Sequence, residues 1–224
     1  MKLGFLGTGN ISSDVVTGIC KSKISFKKIL VSPRNKKKAQ KLKKKFKKVH
    51  IAKNNQEVID KSDWVFLGVL PEVGEKILPK LNFRSNQTIV SFISTISYAQ
   101  LKKIVKKKAK IVRAIPMPPI SLGKGPVAIF PPNKQVKIFF NKIGTTIEIK
   151  SEKLSQNFWA TSGTMASFYE LLKVLSDWLV KKGLKRNQAQ QYITSLYSAL
   201  AALAAFHSKK NLKYFVAESQ TPGG

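Results

Sequence analysis

Apolar positions along the first two thirds of the chain alternate between short continuous runs and stretches with helical spacing. Leu3, Phe5 and Leu6 form the first run, and after a glycine turn the apolar positions continue at helical spacing to Cys20. Residues 28–32 read as a second buried strand, and residues 35–48 as a lysine-rich helix with Ala39, Leu42 and Phe46 as its inner stripe. Residues 49–51 predict a short third strand, and Asn54-Asn55 a helix start before Val58 and Ile59. The run 64–69 is the strongest strand after the first, and Leu70-Pro71-Glu72 opens another helix with proline in its first turn. A fifth strand at 88–93, a helix around Leu101, Ile104 and Val105, and a sixth strand at 110–115 continue the rhythm. Strands alternating with helices in this way predict an α/β protein with a parallel, doubly wound sheet and right-handed crossovers. Ligands of such sheets bind outside the carboxyl ends of the strands.

Pro116-Met117-Pro118-Pro119 interrupts the pattern with a segment that extends neither a helix nor a central strand. A strand at 127–130, a helix at 135–141 and a strand at 145–149 then close a first domain, 1–150. Residues 151–224 carry no strand signal and form an all-α second domain. Phe168, Leu171, Leu172, Leu175, Trp178 and Leu179 define one helix ending at Gly183, and Asn187 is the expected cap of a longer one running to Phe206. Its Ala199–Ala205 stretch is apolar over a wide arc with few helices available to bury it. A second copy of the chain is the expected cover, with ordinary packing inside one chain as the alternative.

Composition adds three constraints. A single cysteine, Cys20, excludes an internal disulfide framework, and His50 and His207 leave little for a metal site, so none is expected. No apolar run reaches membrane-spanning length, and the glycine-broken start is too short for a signal peptide, so a soluble, cytoplasmic protein is expected. The formal charge of +30 points either to an anionic partner or to a lysine-biased composition. Of 41 basic residues only Arg34, Arg84, Arg113 and Arg186 are arginine, the residue whose planar fork suits phosphates and base edges. That balance argues against a nucleic-acid partner.

The candidate chemistry lies in the first turn. Gly7-Thr8-Gly9-Asn10, between a strand and a helix, has the order of a dinucleotide-binding unit. Gly7 would allow the sharp turn, and Gly9 the approach of a pyrophosphate to the positive end of the helix. The third glycine position of the motif holds Ser12, so close helix–strand packing must accommodate a hydroxyl. After the second strand an NAD site places a carboxylate on the ribose hydroxyls. This chain instead has Ser32-Pro33-Arg34-Asn35 followed by Lys36, Lys37 and Lys38. Absence of the carboxylate and presence of cations favour NADP(H), the alternative being a solvated turn before a basic helix.

With these pieces placed, the chain resembles the pyrroline-5-carboxylate reductase family. The matching residues are Gly4 to Asn10, Ser32-Pro33, Asn55, Phe66 to Val69 with Pro71, Arg113 to Pro116, Ser162-Gly163, Gly183-Leu184 and Thr221 to Gly224. The resemblance implies an N-terminal Rossmann-like NADP-binding domain and a C-terminal all-α dimerisation domain. It implies that Gly7, Gly9, Asn10 and Ile11 cradle the pyrophosphate, with Ser32 and Asn55 near the adenosine phosphate and Arg34 beside them. Val69, Leu70 and Pro71 would line the dinucleotide cleft. Ser162, Gly163, Thr164, Thr221, Pro222 and Gly223 would meet the substrate. The implied reaction is hydride transfer from NADPH to the C=N bond of a small cyclic imino acid. The expected assembly is a homodimer or larger homo-oligomer. No catalytic side chain is assigned, because a protonated imine is already electrophilic and needs mainly positioning.

The chain departs from the family pattern at Leu70, where lysine is usual, at Met117-Pro118-Pro119, and over residues 164–168. It also ends at Gly224, where the family continues into a threonine pair; a true terminus and a truncation are both compatible with this. Two alternative functions follow, a reductase of the same fold for a different imine or carbonyl, and a catalytically silent NADP-binding paralogue.

Overall fold

The computed structural model describes residues 1–106 and 109–220 of the chain. Contacts divide it into two compact units, Met1–Phe158 and a second beginning at Trp159.

The first unit is built on one eight-stranded sheet in the order β3-β2-β1-β4-β5-β6-β7-β8. Its strands are β1 (Lys2–Leu6), β2 (Lys28–Val31), β3 (Val49–Ile51), β4 (Trp64–Leu67), β5 (Thr88–Ser91), β6 (Lys110–Pro116), β7 (Pro126–Phe130) and β8 (Thr145–Glu148). The helices α1 (Asn10–Lys21), α2 (Lys36–Lys45), α3 (Asn55–Asp60), α4 (Pro71–Ile77), α5 (Tyr98–Val105) and α6 (Lys134–Phe140) follow strands β1 to β5 and β7. The central strands are apolar on both faces because both are covered. Leu3, Phe5 and Phe66 belong to one core layer, with Val15, Ile19 and Phe140, while Leu6, Val65 and Leu67 belong to the other, with Val58, Leu78 and Leu101. Each such buried side chain contributes about 2 kcal/mol relative to exposure. Phe5 and Phe66 stack across the β1–β4 pair with ring centroids 4.5 Å apart.

Strands β1 to β6 are mutually parallel, but β7 runs antiparallel to β6, with Ala114 opposite Ile129 and Pro116 opposite Val127. The parallel order read from the first six strands therefore holds through β6 and stops there. The reason is the connection: residues 117–125, including a 3₁₀ turn at Pro118–Leu122, are too few for a helical crossover, so the chain returns directly. Pro116 itself ends β6, against the expectation that it could not extend a central strand. The register explains this, since β5 pairs with β6 only as far as Arg113, and the proline nitrogen falls where that neighbour has ended. The lysine-rich helix is shorter than its sequence pattern, ending at Lys45 with Phe46 as an extended C-cap that still packs on the core.

The second unit is helical. Helix α7 (Glu152–Ser162) crosses the boundary between the units and is followed by α8 (Met165–Lys181), α9 (Arg186–Phe206) and α10 (Leu212–Glu218). Helix α8 stops in a Schellman turn: Gly183 adopts φ +103°, its N–H reaches the Val180 carbonyl and that of Leu184 the Leu179 carbonyl. Helix α9 begins at Arg186 and is preceded by Lys185 without a side-chain cap, so Asn187 is not its cap. The Arg186 guanidinium bonds Asp177 of α8, which fixes the first turn of α9 one residue ahead of the asparagine.

Candidate functional site: the cleft at the β1–β4 switch point

The chain leaves β1 toward β2 and β3 on one side, then returns to start β4 on the other. Reversal of strand order at this point separates the β1–α1 and β4–α4 loops and leaves a crevice beyond their carboxyl ends. A cleft of about 730 Å³ lies there, lined among others by Gly7, Gly9, Asn10, Ile11, Arg34, Val69, Leu70 and Pro71. A recess of about 440 Å³ adjoins it, lined by Gly7, Ser32, Arg34, Asn55 and Val69 together with Glu72 and Lys76. All ten residues expected at the cofactor thus surround two adjoining hollows.

The glycine turn is built by contacts across the switch point. Gly7 has φ +92°, and a Cβ there would lie 2.4 Å from the Gly68 carbonyl oxygen, so no other residue fits. Gly9 is different: its φ is −76°, and an added Cβ would meet only that same oxygen, at 3.9 Å. A methyl group at Gly9 would occupy the space a ligand needs and disturb nothing else. Behind Gly9, α1 starts with no side-chain cap and no acidic residue in its first turn. Its leading amides are therefore available to an anion at the positive end of the helix dipole. These are the features a pyrophosphate requires, and the residues present fit a dinucleotide.

Three contacts that build the site escaped the sequence pattern. Ser32 is buried, with its hydroxyl accepting the Gly7 N–H at 2.9 Å, while the Thr8 hydroxyl donates to the Ser32 carbonyl at 2.9 Å. Together they clasp the first turn to the end of β2. Ser12, at the third glycine position, is accommodated from the other side: a Cβ on Gly68 would come within 2.1 Å of its Oγ. The glycine that lets helix and strand approach has moved from α1 to the end of β4. Among the described residues the Ser12 hydroxyl has no hydrogen-bond partner. Finally, the Lys38 ammonium bonds the Asn10 side chain, bringing a cation from α2 to the N-terminus of α1. It also opposes the burial that raises the Asp14 carboxyl above its usual range.

Arg34, Asn35 and Lys36 are exposed at the β2 side of the cleft, and the β2 end carries no carboxylate. At the opposite side the wall is apolar: Phe92 and Ile93 follow β5, and Leu70 is 69% exposed on the rim. Cys20 takes no part in this chemistry, because burial pushes its thiol up to about 11 and keeps it protonated at neutral pH. Among the described residues no group of His, Cys, Asp and Glu could hold a metal ion. His50 lies exposed on the edge strand β3.

Of the residues expected at the substrate, Ser162 ends α7, and Gly163 and Thr164 make the turn into α8. The Thr164 hydroxyl donates to the Thr161 carbonyl at 2.7 Å. Thr221, Pro222 and Gly223 lie outside the described residues.

Comparison with known proteins agrees with this geometry. A family described as NADP oxidoreductase, coenzyme F420-dependent, matches residues 2–95. The chain is 22% identical over 213 residues to pyrroline-5-carboxylate reductase of Corynebacterium melassecola, covering 90% of this chain and 78% of that one. It is 30% identical over 153 residues to the enzyme of the same name from Synechocystis, covering 64% and 56% respectively. A crystal structure of 1-pyrroline-5-carboxylate reductase from Streptococcus pyogenes superposes with a TM-score of 0.82 at 25% identity, over all of this chain and 86% of that one. The Rossmann-like sheet, the switch-point cleft and these likenesses converge: the proteins this chain is similar to, in sequence and in fold, are pyrroline-5-carboxylate reductases.

Proposed function

We propose that this protein is an NADPH-dependent imine reductase that converts pyrroline-5-carboxylate to proline. The observation carrying this reading is the cleft at the β1–β4 switch point, with its glycine cradle at one end of α1 and Arg34 beyond β2. Reduced nicotinamide, when bound, supplies a hydride to the carbon of the C=N bond, and the imine nitrogen takes up a proton. Gly7 and Gly9 let the backbone approach the pyrophosphate, and the free amides of the α1 first turn, with Asn10 and Ile11, hold it. Arg34, which lines one recess with Ser32 and Asn55, would hold the 2′-phosphate. Val69, Leu70 and Pro71 wall the dinucleotide and keep water away from it. Ser162, Gly163, Thr164, Thr221, Pro222 and Gly223 are assigned to the substrate carboxylate, which they would orient by amide and hydroxyl donors.

A second copy of the chain belongs to the same proposal. Phe168, Trp178, Leu200, Leu203 and Phe206 are all exposed in the helical unit, and Phe206 is 82% exposed. An apolar face of this extent is the usual mark of an interface. A cytoplasmic setting, suggested by the single free thiol of Cys20, completes the reading.

Calorimetric titration of NADPH and NADH tests the cofactor assignment. NADPH is expected to bind about tenfold or more tightly, and Arg34→Ala to erase most of that difference, because a charge-assisted hydrogen bond to phosphate is worth about 1.5–3 kcal/mol. Equal affinities in the unaltered protein would refute the 2′-phosphate role.

A further inference from the structure

An ion pair between a buried arginine and a half-buried glutamate lies behind the apolar wall of the cleft, outside every residue assigned above. Arg113 stands on β6, in register with Ser91 of β5, and is only 8% exposed. Its Nη1 bonds Glu152 Oε1, and its Nη2 donates to the Ser94 carbonyl at 2.5 Å. The same Glu152 oxygen accepts the backbone N–H of Tyr98 at 2.8 Å. Ser94 lies within the loop between β5 and α5, and Tyr98 follows its last residue. Phe92, Ile93 and Ser94 of that loop line the cleft, and Tyr98 starts α5, whose capping box is formed by Ser97 and Gln100. The Tyr98 ring packs edge-on against Phe130 of β7, 5.6 Å between centroids.

Two groups from distant parts of the chain therefore grip one loop, Arg113 at its middle and Glu152 where it enters α5. A buried guanidinium is costly unless its partners are complete, so the pair has one favoured geometry, and the loop inherits it. We propose that Arg113 and Glu152 are positioning residues that set the β5–α5 loop as the wall of the cleft on the side away from Arg34. Acting through Ser94 and Tyr98, they hold the wall against which the nicotinamide half of the cofactor is oriented, and they leave the adenosine half untouched. The nicotinamide part of this statement rests on the dinucleotide reading above; the loop part stands on geometry alone. Glu152 also begins α7, so the grip is supplied by the segment that leads out of the sheet.

The test uses the full chain with Glu152→Ala and Glu152→Gln. The amide of glutamine keeps an acceptor for both Arg113 and Tyr98, so it is the conservative rescue. Hydrogen exchange of the backbone at residues 92–98 is read without ligand, beside binding of NADPH and of 2′,5′-ADP, which reports the adenosine half alone. In Glu152→Ala, exchange in this loop is expected to rise about tenfold or more while the sheet amides hold. NADPH binding should weaken about fivefold or more, with 2′,5′-ADP changed less than about twofold. Glu152→Gln should stay near the unaltered protein in all three. Unchanged loop exchange, acceleration spread evenly over the sheet, or equal weakening of both nucleotides would overturn the proposal. Absence of NADPH binding in the unaltered protein would instead refute the functional reading, and the exchange result would still decide the role of the pair.

Discussion

At the scale of single residues, the cleft separates two roles that glycine plays in one motif. Gly7 is required by the backbone, since its φ is positive and a side chain would strike the Gly68 carbonyl. Gly9 is required by nothing in the fold, since its conformation is ordinary and its surroundings are open, and the proposal gives that open space to the pyrophosphate. Gly9→Ala is therefore expected to leave the thermal midpoint within about 2 °C while weakening NADPH binding about tenfold or more, because a methyl group fills the approach to the helix N-terminus. Unchanged NADPH affinity in that variant would move the pyrophosphate elsewhere. The exchange of partners between Ser12 and Gly68 makes a second test. Gly68→Ala alone should cost about 3 kcal/mol, as the new methyl meets a buried hydroxyl. Adding Ser12→Ala should recover most of that loss, since the two Cβ atoms then stand 3.5 Å apart, an ordinary contact. Denaturant melts of the two single variants and the double variant measure the coupling, and simple additivity would contradict the proposed packing.

At the scale of elements, the strands were legible in the sequence because burial on both faces writes continuous apolar runs, as in Val65, Phe66 and Leu67. The glycine turn and the missing carboxylate after β2 were legible because both are local. What was not legible is set by distance along the chain. The direction of β7 depends on how few residues join it to β6, and strand periodicity carries no sense of direction. The cap of α9 was misplaced because Asn187 is a good capping residue by type, whereas the start is fixed by Arg186 reaching Asp177 on another helix. Helix α10 gave no stripe to read, since it buries none of its residues in this chain. The site follows the same rule. Nothing near Ser12 announces Gly68, and nothing near Arg113 announces Glu152; both pairings exist only once the sheet is assembled.

At the scale of the whole molecule, two features ask for partners. The charge of +30 attracts anions, so binding of a dinucleotide should weaken with added salt as screening shortens the reach of the field. The exposed aromatic and leucine side chains of α8 and α9 are the face that the proposal assigns to a second copy. Sedimentation equilibrium is expected to return at least twice the 25.0 kDa chain mass at micromolar concentration. A monomer under those conditions would leave the apolar helices without the assigned cover. Substituting Leu200 and Leu203 with glutamate should shift the mass toward one chain, while the nucleotide cleft of the first unit keeps its affinity.

The measurement bearing most directly on the central claim is the loss of NADPH absorbance when the purified protein meets pyrroline-5-carboxylate, with NADH run in parallel. The account predicts turnover to proline, faster at limiting cofactor with NADPH than with NADH. Tight NADPH binding without any oxidation in the presence of this imine would contradict the reductase assignment. It would make the apolar rim at Leu70 and the turn at Thr164 the places where a different substrate has to be sought.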